Sequence, residues 1–203
     1  MWLGRPGNGR RRSLLAALTV AGALLLAVGP ASAQSDSDAW EVLENESHWV
    51  TTGTEDPERI VYVFTDPNCP YCHDLSKATK PYYEEGLQVR HILVGILRPS
   101  SPGKAAAILG ADDPSQALNE HERSYGDGGI DPVDSPGAKI QSRLEDNQRL
   151  MQRLGAQATP ALVYRDADGE VHMVAGMPRL EALPEILRLP EQPVEDPDLK
   201  KYL

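Results

Sequence analysis

The sequence predicts an α/β domain whose chain runs strand, helix, strand, then a helical stretch, then a strand hairpin and a closing helix. Three observations carry that expectation. A short β-favouring run, Ile60–Phe64, leads through Asp66-Pro67-Asn68 into a helix that opens at Cys69-Pro70-Tyr71-Cys72. A second apolar run, Val89–Leu97, is nearly uninterrupted from Ile92 to Leu97, the pattern of a strand buried on both faces in a parallel pair. Near the C-terminus, Ala161–Tyr164 and Val171–Ala175 flank the turn Asp166-Ala167-Asp168-Gly169 and read as an antiparallel hairpin.

Residues 1–33 are expected to be a signal peptide, outside the fold. Arg5 and Arg10–Arg12 make a basic n-region, Leu14–Val28 an apolar core too short for a comfortable membrane span, and Ala31-Ser32-Ala33 an A-x-A cleavage site. The chain carries 20 Lys+Arg against 30 Asp+Glu, and cleavage removes four arginines and no acid. Such an acidic chain argues against nucleic acid and anionic lipid as partners.

Residues 34–59 read as a linker, with a helix over Ala39–Val50 and a loop over Thr52–Glu58. Residues 60–189 are then expected to form the main folded domain. Pro81 is expected to end or kink the helix after the cysteines, because it removes a hydrogen bond and clashes with the preceding turn. The stretch 98–154 reads as a helical insertion. Its helices fall at Pro102–Leu109 and at Pro114–Arg123, the second opening after Asp113. After the loop Gly126–Gly137 comes a longer helix capped by Ser135 and ended by Gly155, with Ile140, Leu144, Met151 and Leu154 as its buried stripe. Leu180–Leu189 is the closing helix. Residues 190–203, with three prolines and four acids, read as a flexible tail.

Both cysteines of the chain lie in one C-x-x-C at a strand-to-helix junction. That is the arrangement of a thiol–disulfide redox site. Cys69 is placed as N-cap with Pro70 at the first helical position, so its sulfur faces the unpaired amides of Tyr71 and Cys72 at the positive end of the helix dipole. Thiolate is therefore favoured at Cys69, the expected nucleophile. Cys72, one turn in, is expected to be buried and protonated and to resolve a mixed disulfide.

Other chemistries fit these residues less well. A structural disulfide three residues apart closes too small a loop to stabilise much, and zinc would need two further ligands that no second motif offers. No metal or cofactor is expected. A cytosolic glutaredoxin carries the same CPYC, but the export signal opposes it. The alternative function is a haem c electron carrier, because Cys69-Pro70-Tyr71-Cys72-His73 completes the C-x-x-C-H attachment pattern.

The order of elements is that of the thioredoxin fold with a helical insertion after the second strand. In thioredoxin-like proteins a cis-proline before the third strand faces the redox cysteines, which here implies Thr159-Pro160. Thr159 would present its backbone to an extended substrate, and Pro70 and Tyr71 would line the same surface. Asp66 reads as a turn residue. Val63 stands where thioredoxin carries a buried carboxylate. His73 reads either as an exposed helix residue or as one that tunes the thiolate, and His48, His91, His121 and His172 as surface or locally bonded.

With these pieces the chain resembles the periplasmic DsbC/DsbG family. Phe64-Thr65-Asp66 through Cys72-His73 is similar to the DsbC pattern. CPYC, Val94-Gly95-Ile96-Leu97-Arg98-Pro99 followed by Ser101-Pro102, Ala105–Leu109 and Gly155–Ala161 are similar to DsbG, and the likeness runs from about Trp40 to Leu189. The resemblance implies a periplasmic reductase or isomerase of client proteins with disulfides or oxidised cysteines, sulfenic acids included, recharged by a DsbD-like membrane reductase. The family also carries an N-terminal dimerisation domain. Only Gln34–Arg59 precede the first catalytic strand here, so a monomer is expected.

Overall fold

The computed structural model describes residues 36–203, and the signal-peptide assignment to 1–33 lies outside the described residues. Helix α1 (Asp36–Glu46) is followed by strands β1 (Trp49–Gly53) and β2 (Arg59–Thr65), helix α2 (Pro70–Thr79) and strand β3 (Leu87–Leu93). Helices α3 (Ser101–Leu109), α4 (Pro114–Arg123) and α5 (Ala138–Arg153) intervene before strands β4 (Ala161–Arg165) and β5 (Val171–Ala175) and helix α6 (Leu183–Leu187). The strands form one sheet in the order β1-β3-β2-β4-β5. β2 and β3 are parallel, and the other pairs antiparallel. The expected α/β architecture is present, with the helical insertion between β3 and β4.

Alternation along β2 divides the core, because successive side chains of a strand point to opposite faces. Val61 and Val63 pack with Leu75 and Ala78 of α2 and with Leu183 and Leu187 of α6. Tyr62 and Phe64 pack on the other face with Trp40 and Leu43 of α1 and Leu150 and Met151 of α5. Each fully buried side chain of this size contributes roughly 1.5–3 kcal/mol. The sheet is thus sandwiched, and the C-terminal end of β2 delivers Asp66 and the cysteines to its rim.

Several boundaries depart from the sequence reading. The helix expected over Ala39–Val50 stops at Glu46, where the Ser47 hydroxyl donates to the Leu43 carbonyl (2.5 Å), and Trp49–Gly53 is the edge strand β1 rather than helix and loop. Its β-branched Val50, Thr51 and Thr52 suit a strand, but its partner β3 is some 40 positions away, beyond the reach of a local pattern. β3 ends at Leu93, and Val94–Leu97 leaves the sheet. Ser135 does not cap α5, which starts at Ala138 behind Gly137. Pro81 does end α2, in a single 3-10 turn over Lys80–Tyr82.

One polar side chain holds two of these joints. Asn147 of α5 is fully buried, donating to the carbonyls of His48 (2.8 Å) and Leu93 (3.0 Å) and accepting from His48 N–H (2.8 Å). It pins α5 to the start of β1 and the end of β3.

The segment 190–203, expected to be a flexible tail, is docked. Leu199 is buried in the core beside α2 and α6. The Tyr202 hydroxyl donates to Asp74 Oδ2 (2.6 Å), Lys201 Nζ lies 2.9 Å from the same oxygen, and Lys77 Nζ lies 2.5 Å from Asp196 Oδ2. The polar composition of the tail conceals one apolar anchor and a charge pattern complementary to α2.

Candidate functional site

Asp66 organises the loop that follows β2. Its carboxylate is 1 % exposed and accepts four hydrogen bonds: Oδ1 from Asn68 N–H (2.8 Å) and the Ser101 hydroxyl (2.7 Å), Oδ2 from the amides of Ile96 (2.7 Å) and Leu97 (3.0 Å). Asn68 in turn donates to the hydroxyls of Ser100 (3.1 Å) and Ser101 (2.9 Å). Asp66 is therefore a turn residue, as expected, and also the tie between the cysteine loop and the loop 94–100. A buried carboxylate of this kind is stable only when its lone pairs are satisfied.

Cys69 is the N-cap of α2, with extended backbone (φ −86°, ψ 113°), and its sulfur accepts from Cys72 N–H at 3.3 Å. Pro70 sits in the first turn, where its missing N–H is not needed. In its thiol form Cys69 donates to the carbonyl oxygen of Thr159 at 3.2 Å, so the chain 90 residues away closes over the sulfur. The Thr159-Pro160 bond is cis, and Gly176 N–H donates to the Pro160 carbonyl (2.8 Å). The Thr159 hydroxyl is buried without a partner. Both cysteines are free thiols and nearly fully covered, at 2 % and 4 % exposure, whereas Tyr71 between them is 53 % exposed.

The two sulfurs are electrostatically unlike. The Cys72 thiol beside it, together with the amides of Cys72 and Tyr71, lowers the pKa of Cys69 to about 6 against the penalty of burial. Burial pushes Cys72 well above the ordinary thiol value, and hydrogen bonding to Cys69 and the Cys69 charge add to it. A single proton is thus held preferentially on the inner sulfur.

The insertion contributes a layer that sequence reasoning missed. His73 is not an exposed helix residue: its Nδ1 lies 2.6 Å from Glu122 Oε2 of α4, and its ring stacks on Tyr125 with centroids 4.3 Å apart. His121, the neighbour of Glu122 and expected at the surface or bonded locally, is buried and reaches across to the loop before α2. Its Nδ1 accepts from Ile130 N–H (3.1 Å), which leaves Nε2 to donate to the Pro67 carbonyl (2.8 Å). Two consecutive residues of α4 therefore hold both flanks of the C-x-x-C. No spacing rule connects residues 121–122 with 67 and 73, so no signal in the sequence could have paired them.

Of the remaining histidines only His172 is bonded within its own turn, whereas His91, expected at the surface or bonded locally, is buried and bonded to two other strands. His91 is in register with Val63 across the β2–β3 pair, with Nε2 2.9 Å from the Thr52 hydroxyl and Nδ1 3.3 Å from that of Thr65. Burial pushes it down to about 4. His48 meets Asp146 at 3.5 Å, and His172 meets Asp166 at 2.7 Å in an exposed turn. Asp166, Glu170 and His172 come close together there, but Asp166 is occupied by the turn's own amides.

The haem c alternative finds no support in this arrangement. Both sulfurs are buried, and the His73 ring is stacked against Tyr125.

A family model described as a thioredoxin-like domain matches residues 50–189. Among curated proteins, the chain is 39 % identical over 151 residues to the thiol:disulfide interchange protein DsbG of Pseudomonas aeruginosa, covering 74 % of this chain and 59 % of that protein. It is 36 % identical over 152 residues to DsbG of Escherichia coli, covering 74 % and 61 %. The chain thus spans about three-fifths of the length of these relatives. DsbC of Salmonella typhimurium matches at 27 % over 120 residues, covering 58 % of this chain and 47 % of that protein. Among solved structures, the catalytic domain of Proteus mirabilis ScsC superimposes with a TM-score of 0.63 at 22 % identity, covering 76 % of this chain and 96 % of that one. A periplasmic thioredoxin-like protein from Salmonella enterica serovar Typhimurium gives 0.60 at 21 %, covering 74 % and 94 %. At such identities the likeness is one of fold.

Proposed function

The chain belongs to the thioredoxin-like family, and from that premise we propose that it is a periplasmic thiol–disulfide oxidoreductase of the DsbG type, working through Cys69 and Cys72. The observation that carries this reading is the split between the two thiols, one lowered to about 6 at a helix N-terminus and one raised by burial. Similarity to thiol:disulfide interchange proteins supports it.

The mechanism follows from that split. The Cys69 thiolate attacks a client disulfide, forming a Cys69–client disulfide and releasing one client thiolate, which takes up a proton. Cys72 then gives up its proton and attacks Cys69 Sγ. A Cys69–Cys72 disulfide forms and the second client thiolate leaves, so two electrons have passed to the client. With a client sulfenic acid the first step expels hydroxide, which leaves as water, and the second step is the same. The backbone of Thr159, with Pro160, Pro70 and Tyr71, receives the client segment. Exposed Ile96 and Leu97, fixed by Asp66, extend that surface. Electrons return from a DsbD-like membrane reductase, and the acidic chain works as a monomer.

The test is direct. Cys72→Ser should accumulate mixed disulfides with periplasmic clients, and Cys69→Ser should form none and reduce no disulfide. Equal capture by both variants would sink the assignment of roles. Sedimentation at micromolar concentration addresses the monomer.

A further inference from the structure

The resolving step leaves one proton without a destination. Cys72 must lose its hydrogen to attack Cys69 Sγ, yet it is 4 % exposed and burial holds it as thiol. The carboxylate of the cysteine loop, Asp66, already accepts four hydrogen bonds. A buried imidazole that the mechanism has not used lies beneath the same helix.

Val61 and Val63 of β2 pack with Leu75 and Ala78 of α2, so Thr65, two residues on, faces the same helix. His91 is in register with Val63 across the parallel β2–β3 pair and shares that face. On α2 the buried residues Cys72, Leu75 and Thr79 follow one another at helical spacing. Leu75 packs with Val63, and Cys72, one turn nearer the rim, stands over the end of β2. Asp66 N–H, next in the chain after Thr65, faces the Cys72 sulfur, and Cys69 N–H donates to the Asp66 carbonyl (2.9 Å).

From this point a continuous line of polar groups runs under the helix. Thr65 Oγ1 lies 3.3 Å from His91 Nδ1, His91 Nε2 2.9 Å from Thr52 Oγ1, and Thr52 Oγ1 2.7 Å from the Tyr83 hydroxyl. Thr65, His91 and Thr52 are all buried. Tyr83 lines the groove between α2, α4 and the C-terminal segment. A hydroxyl both donates and accepts, and a neutral imidazole does one at each nitrogen, so the line pairs both ring nitrogens whichever way it points. Two titratable groups bear on the ring: Tyr83 through Thr52, and Glu122 of α4, whose charge favours the protonated form.

We propose that Thr65 and His91 are the proton exit for Cys72 in the resolving step. The inference rests on the proposed thiol–disulfide activity and deepens it. As Cys72 Sγ bonds to Cys69 Sγ, the Cys69–client bond breaks and its electron pair leaves on the client sulfur. The Cys72 proton passes to Thr65 as the two groups close to hydrogen-bond distance in the mixed disulfide. Thr65 gives its own hydrogen to Nδ1, Nε2 gives one to Thr52, and the last proton leaves through Tyr83 to water in the groove. The ring is neutral before and after, so its burial does not oppose the transfer. His91 touches no reacting atom and acts through Thr65.

The experiment follows the reduced full chain mixed with a chromogenic aryl disulfide. Cys69 attack releases one coloured thiol, and Cys72 resolution releases the other in a slower phase. In the wild type the slow phase should be nearly flat between about pH 5.5 and 8 and slower in D2O, as for transfer to an internal acceptor. In His91→Gln and Thr65→Val it should instead climb about tenfold per pH unit, following the Cys72 thiolate fraction. At pH 6.5 the ratio of slow to fast rate should fall roughly tenfold, short of the usual general-base range because burial weakens the imidazole as a base. Thr65→Ser should restore the flat profile.

A profile that stays flat in both variants would overturn the inference, as would equal slowing of both phases, which marks a merely structural role. A wild-type slow phase that itself climbs about tenfold per pH unit, without an isotope effect, would overturn it with no variant needed. If the wild type released no thiol at all, the thiol–disulfide reading itself would fall first.

Discussion

The Cys69 sulfur and the Thr159 carbonyl oxygen lie 3.2 Å apart, although 90 residues separate them in the chain. The antiparallel pairing of β2 with β4 brings their two loops to the same rim of the sheet. The contact needs the thiol form, since a thiolate has no proton to donate to a carbonyl. Ionisation of Cys69 therefore ends this donation and leaves the Thr159 carbonyl free to accept from another group.

That ionisation is measurable. Cys69 alkylation should rise with a midpoint near pH 6 and level off above it, because the thiolate is the reactive form and its pKa is lowered to about 6. Cys72 should remain largely unmodified through neutrality, since burial holds it as thiol. Mass-resolved alkylation from pH 4 to 9 checks both. A shared midpoint above pH 8 would remove the helix-terminus argument.

Asp66→Asn should be one of the costlier substitutions near the site. The amide keeps only one accepting oxygen and presents an NH2 group to amides and a hydroxyl that now face a donor. Hydrogen bonds to a charged group are each worth about 1.5–3 kcal/mol, so a loss of about 3 kcal/mol is expected by denaturant unfolding. Amide exchange at Ile96 and Leu97 should quicken more than at β2. A change below about 0.5 kcal/mol, the level of an ordinary surface substitution, would show that Asp66 is not the tie between the two loops.

What was legible in the sequence was local. The strand Ile60–Phe64, the Cys69 cap, Pro70 in the first turn and the hairpin Ala161–Ala175 each announce themselves within a few residues. β1 did not, because Trp49–Gly53 follows a helix without a break in composition and is specified by its pairing with β3. The outer layer of the site was equally hidden. Glu122, Tyr125 and His121 meet residues 67 and 73 only once α4 is packed on β1 and α3, and nothing in a polar helix distinguishes a glutamate bound for a histidine from one bound for water. The tail failed for a related reason, since Leu199 and Tyr202 are anchors only where α2 presents a gap and Asp74.

The docked tail makes its own prediction. Leu199→Ala should destabilise the protein by about 2–3 kcal/mol, in the range of buried large-to-small changes, because its side chain fills the core beside α2. Tyr202→Phe should cost about 1 kcal/mol, the net worth of its bond to Asp74. Thermal or urea unfolding decides, and proteolysis should reach residues 190–203 sooner in Leu199→Ala. A freely cleaved wild-type tail with no effect of either substitution would restore the expectation drawn from composition.

His91 should make stability fall in acid. It is buried in register with Val63 and bonded to Thr52 and Thr65, and burial lowers its pKa to about 4, while in the unfolded chain it takes a proton near 6.5. Between these values the unfolded state binds more protons than the folded one, so stability rises with pH through this window and is lost as pH falls from 6.5 toward 4. The full shift corresponds to about 3 kcal/mol, an upper figure that water entry or local opening would reduce. His91→Gln has no such proton to bind. Its unfolding free energy should decline less steeply than that of the wild type between pH 7 and 4.5, whatever its absolute value. Carboxylates titrate in the same range but are common to both proteins, so the difference in slope isolates the histidine. Parallel pH dependences would mean that His91 is already protonated in the fold or that water reaches it, and that the side of the sheet beneath α2 is not the dry environment described here.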